Sequence, residues 1–77
     1  MNGTKKTLTR AGFEKLFDGK FEPIPHTGYR VNPTANATTF LAPDKITNKP
    51  AKWVQWQDKE TSARTWLELA KKVGLTS

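Results

Sequence analysis

Lys49, Lys52, Trp53 and Gln55 fall within one short stretch, and their types suit binding more than bond-making: ammonium groups for an anion, an indole for stacking, an amide for hydrogen bonding. With Arg30, Thr39 and Lys45 they form the candidate nucleic-acid-binding set. In that set Arg30 and Gln55 are placed to meet base edges, while the lysines and Thr39 would meet phosphates. Catalytic chemistry has less to work with. His26 is the only histidine and there is no cysteine, so neither a His/Cys metal site nor a thiol nucleophile can be assembled. Asp58 and Glu60 stand where acids favour a helix N-terminus, and Glu14, Asp18 and Glu68 read as solvated helix positions with basic neighbours. Ser62 and Ser77 have no histidine base nearby in sequence, and no glycine-rich loop is present to cradle phosphates. The expectation is a chain that is not an enzyme, with no cofactor, no metal and no small-molecule substrate.

Thirteen Lys and Arg oppose seven Asp and Glu, a net charge of +6 on 77 residues. A field of that sign favours polyanionic partners. No apolar run approaches the ~20 residues of a membrane span, and the basic N-terminal stretch is followed by no apolar segment. The chain is therefore expected to be soluble and cytoplasmic, with no membrane partner. Residues 1–7 read as a disordered basic N-terminus and 8–77 as a single small α+β domain. With no disulfide available, three tryptophans and four phenylalanines must hold the core, each able to bury about 150–250 Å².

The elements that must position these side chains follow from periodicity. Ala63, Trp66, Leu67, Ala70 and Val73 recur at three-and-four spacing, which predicts a helix over 62–73, capped by Thr61 or Ser62 and closed by Gly74. In that arrangement Leu75 folds back toward Ala70. Leu8 and Phe13 around a Thr9 cap predict a short N-terminal helix stopped at Asp18-Gly19. Pro23 and Pro25 make 21–26 a stiff extended connector. From Gly28 the period becomes two, and 29–31, 38–42 and 52–56 are rich in β-branched and aromatic residues bounded by turn signals. The fold expected is thus an N-terminal short helix, a three-stranded antiparallel sheet and a C-terminal helix packed on it. Alternation along 52–56 points Val54 and Trp56 one way and Trp53 and Gln55 the other.

Tyr29-Arg30, Pro33, Thr39-Phe40 and Lys49-Pro50-Ala51-Lys52-Trp53-Val54 resemble the DNA-binding end of nucleoid silencers of the H-NS type, over a minority of the chain. That family reads the minor groove with a Gly-Arg-Gly-Arg-like loop, where this chain has Ala42-Pro43-Asp44-Lys45-Ile46-Thr47-Asn48. Lacking the loop arginine, the chain does not inherit the family's mechanism. What the residues themselves support is a small accessory or regulatory protein that binds nucleic acid, DNA favoured, with a basic sheet face, a basic loop and Trp53 as a stacking anchor. The alternative is a protein-binding module that docks the same surface on an acidic protein and regulates or inhibits a larger machine, since aromatic and basic residues also make protein hot spots.

Overall fold

In the computed structural model, which describes residues 7–76, Thr9 lies in extended backbone and its hydroxyl accepts a hydrogen bond from Gly12 N–H at 3.0 Å. It caps helix α1, Arg10–Glu14. So short a helix cannot stand alone in water; Phe13, fully buried, fastens it to the rest of the chain. The expected disordered stretch 1–7 lies, apart from Thr7, outside the described residues.

Strands β1 (Glu22–Pro23), β2 (Arg30–Asn32), β3 (Ala37–Pro43), β4 (Pro50–Trp56) and β5 (Lys59–Ala63) form one antiparallel sheet whose spatial order is the chain order. Helix α2, Trp66–Lys72, completes the fold. The α+β class stands, but the expected three-stranded sheet is corrected to five strands. β1 arises inside the segment read as a connector. Its extended, proline-fixed backbone pairs with β2 through Glu22↔Val31 and Pro23↔Arg30, an edge position that Pro tolerates.

β5 replaces the first turn of the expected C-terminal helix. Gln57 and Asp58, at φ 55° and 63°, join Trp56 to Lys59 as a two-residue hairpin loop with both residues left-handed, the geometry of a type I′ turn. Asp58 and Glu60 are therefore a turn residue and a strand residue, not helix N-terminal acids. The cap of α2 is Thr65, whose hydroxyl accepts from Glu68 N–H at 3.1 Å. At the other end Gly74 turns left-handed at φ 84°, Leu75 N–H donates to the Ala70 carbonyl at 2.9 Å and Gly74 N–H to that of Lys71 at 3.2 Å. These are the two bonds of a Schellman motif.

Both helices cover one face of the sheet. Phe13 and Trp66 meet at a centroid distance of 5.2 Å, joining α1 to α2, and Phe17 stands edge-on to Trp56 at 4.9 Å and to Phe21 at 5.5 Å. Val54, Ala37 and Ala63 supply the sheet side of this core. Leu69, not Leu67, is the buried leucine of α2: the helix starts four residues later than expected, and counting three and four from buried Trp66 gives Leu69 and Ala70, with Leu67 turned aside. The opposite face carries a smaller cluster of Phe40, Ala51 and Trp53.

Candidate nucleic-acid interface

The strand register decides which candidate side chains share a surface. Arg30 pairs with Thr39, and Thr39 with Val54, so by alternation Arg30 and Thr39 lie on the helix-covered face and not with Trp53 and Gln55. There they build a charged network under α1. Arg30 Nε donates to both oxygens of Glu14 at 3.1 and 2.9 Å, and its Nη2 donates to the Phe21 carbonyl at 3.2 Å. The Thr39 hydroxyl, fully buried, donates to Glu14 Oε2 at 2.9 Å. Arg10 completes the group by donating to Thr39 Oγ1 at 3.2 Å and to the Gly28 and Thr39 carbonyls at 2.8 Å each. Partial burial lowers the Arg10 pKa, Glu14 raises it, and Arg30 lowers it further. One buried acid and two arginines thus tie α1 to β2 and β3, and Arg30 and Thr39 are spent on the fold.

Trp53 and Gln55 face away from the helices. Gln55 is exposed opposite Thr38 and Glu60. Trp53 is 6% exposed and its indole N–H donates to the Ala42 carbonyl at 3.0 Å. Tyr29, just before β2, Phe40 of β3 and Trp53 of β4 form a parallel ladder, with centroids 4.7 and 5.7 Å apart and interplanar angles of 6° and 10°. Lys45 closes the ladder 5.7 Å above the Trp53 ring and approaches Glu60 at 3.8 Å. At 6% exposure, stacked on Phe40 and approached by Lys45, the Trp53 indole is packed into this cluster.

Lys45, Lys49 and Lys52 belong to the β3–β4 hairpin and its loop 44–49. The loop is ordered by one side chain: Asp44 Oδ1 accepts from Ile46 N–H at 2.8 Å and Thr47 N–H at 3.0 Å. Those bonds, the Thr47 one foremost, hold the Asp44 carboxyl below its ordinary pKa. Asp44 N–H also donates to the Lys49 carbonyl and Asn48 N–H to the Asp44 carbonyl, each at 2.8 Å, while Asn48 takes φ 61°. The basic loop is thus a closed turn between Pro43 and Pro50.

Around the start of β4 the structure gathers cations that lie far apart in sequence. Lys52 and Arg64 line one cleft beside Leu8, Trp66 and Leu67. Lys49, Arg64 and Lys72 line the adjoining one, with Asp44 and Glu68 also in its wall. Lys49, Lys52 and Arg64 make no ion pair among the described residues, and Lys72 is held in place by donating to the Ser62 carbonyl at 2.8 Å. Arg64 and Lys72 lie outside the candidate set because the expected helix over 62–73 contains both. Arg64 in fact precedes the Thr65 cap. Only the β4–β5 hairpin brings it beside Lys52, whose strand partner is Ala63. No sequence spacing reports that proximity.

No family model, curated protein or solved structure matches this chain. Its function must be argued from its own surface.

Proposed function

We propose that this chain is a small non-enzymatic nucleic-acid-binding protein, duplex DNA favoured, that serves as an accessory or regulatory factor. The observation that carries the reading is the gathering of Lys49, Lys52, Arg64 and Lys72 about one end of the sheet, none of them in an ion pair among the described residues. Ammonium and guanidinium groups so placed neutralise phosphates and release counterions, which gives affinity without sequence choice. The engaged surface in this reading is the β3–β4 hairpin and the β4–α2 end, in place of the sheet face. Arg30 and Thr39 support the fold behind it, Trp53 packs beneath the loop, and Gln55 lies on the opposite face.

The test is titration of labelled duplex and single-stranded DNA at several salt concentrations. The logarithm of the association constant should fall linearly with that of salt, and Lys49→Ala, Lys52→Ala and Arg64→Ala should each reduce the slope by about 1. Absence of binding by the unmodified chain at low salt would sink the proposal.

A second reading has its own observation. Leu41, Ala42, Pro43, Pro50 and Ala51 line a shallow apolar groove edged by Lys52, and Leu41 is 58% exposed. An acidic protein surface carrying apolar side chains would fit there, making the chain a docking module that regulates or inhibits a larger assembly. Binding that needs Leu41 and ignores competing DNA would favour this reading.

A further inference from the structure

The β3–β4 hairpin outruns its neighbours. β2 pairs with β3 no farther than Thr39, and β5 pairs with β4 no farther than Lys52, whereas the β3–β4 ladder continues to Pro43↔Pro50. The last pairs and loop 44–49 therefore run past the paired ends of β2 and β5 as a two-stranded arm, whose loop is braced against the sheet by Asp44 toward Ser62 and Lys45 toward Glu60. At its apex Ile46 is 93% exposed, far more than any other large apolar side chain described. Isolated exposed apolar residues are common. This one differs in its mounting, because the Asp44 carboxylate and the backbone bonds across the turn fix the loop that carries it. Lys49 follows it in the loop and Lys52 stands at the base of the arm, while Lys45, on its other side, is 3.8 Å from Glu60 in an exposed pair. The one acid of the loop, Asp44, has its carboxylate turned inward on Ile46 N–H, Thr47 N–H and the Ser62 hydroxyl at 3.5 Å.

An apolar apex between cations, on a ribbon narrow enough to enter a groove, matches the chemistry of a wedge: cations take phosphates on either side while the side chain parts two stacked base pairs. We propose that the arm engages duplex DNA from the minor-groove side and that Ile46 inserts between base pairs, bending the duplex. This inference rests on the nucleic-acid reading above. It is distinct from base recognition, since an isoleucine has no donor or acceptor to read an edge with and can act only through shape and unstacking.

The experiment follows the end-to-end distance of a duplex carrying a fluorophore at each end, by energy transfer, with affinity measured in parallel by anisotropy at low salt. The full chain is compared with Ile46→Ala and Ile46→Ser. Since Ile46 touches no core residue by its exposure, both variants should melt as the parent does. The parent is expected to shorten the end-to-end distance on binding. Both variants should leave the duplex straight while keeping the same salt slope, because their phosphate contacts are intact. Binding by the parent without shortening, or equal shortening by Ile46→Ala, would overturn the wedge and leave the nucleic-acid reading standing. No binding by the parent would overturn both.

Discussion

Glu14 is the acid on which two arginines depend. It is 7% exposed, accepts from Arg30 and Thr39, and lies 3.6 Å from Arg10 Nε. No other carboxylate pairs with either guanidinium among the described residues. Removing one partner of a buried pair is costly because the remaining charge stays desolvated. Glu14→Ala should therefore destabilise by roughly 3 kcal/mol, the low end for such a loss, since the Arg10 and Arg30 side chains keep 25% and 35% of their exposure. Urea denaturation reads the change directly, and an unshifted midpoint would show that the network is incidental. Trp66 is the apolar counterpart. It bridges α1 and α2 through Phe13, so Trp66→Ala should cost about 3–5 kcal/mol, enough to abolish a cooperative melt in a domain this small. A melt that survives it nearly unchanged would mean that the helices are fastened elsewhere.

At the scale of elements, what the sequence disclosed and what it hid have separate physical causes. The middle of the sheet was legible: 29–31, 38–42 and 52–56 lie within a residue or two of β2, β3 and β4, because strands packed on both faces must carry β-branched and aromatic side chains. The Thr9 cap and the Gly74 terminus were legible for a similar reason, since each depends on one residue type. β5 was not, for Lys59, Glu60, Thr61 and Ser62 give an edge strand no apolar alternation, and Gln57-Asp58 lacks the Asn-Gly signature of its turn. The site was legible only where it is local. Lys45, Lys49 and Lys52 share a hairpin, but the helix-side burial of Arg30 and Thr39 depends on register, and the approach of Arg64 to Lys52 on a turn that went unseen. That turn can be tested. Two non-glycine residues in left-handed backbone are strained, so the double substitution Gln57→Asn with Asp58→Gly should stabilise by on the order of 1 kcal/mol. A helix through 58–62 would instead be weakened by the glycine, and a fall in the urea midpoint would count against the hairpin. The other hairpin responds to acid. The Asp44 carboxyl has a lowered folded pKa, so its ordering of the loop is complete above the ordinary aspartate value and is lost as pH falls through the lower folded one. Ile46 and Thr47 amide resonances should move across that acid range, and Asp44→Ala should reproduce the change at neutral pH. Amides indifferent to both would show that the carboxylate does not organise the turn.

At the scale of the molecule, a net charge of +6 would attract polyanions wherever the cations stood. A general field and a local footprint nevertheless make different demands. The sheet face away from the helices bears Glu60 beside exposed Gln55, and Lys45 there is already turned toward that acid. The end of the sheet where β4 begins bears Lys49, Lys52 and Arg64, unpaired among the described residues. If the whole field drives association, two substitutions that each lower the net charge by one should weaken DNA binding alike. If phosphates sit at the β4 end, they should not. Lys52→Gln and Gln55→Glu make the comparison, with equal changes in net charge on opposite faces of one strand. The footprint predicts that Lys52→Gln lowers the salt slope by about 1, while Gln55→Glu leaves the slope as it was and changes affinity only through weak, screened repulsion. Equal losses of affinity and slope in the two variants would mean that the chain binds as a diffuse cation, and the assignment of the β4 end as the interface would fail.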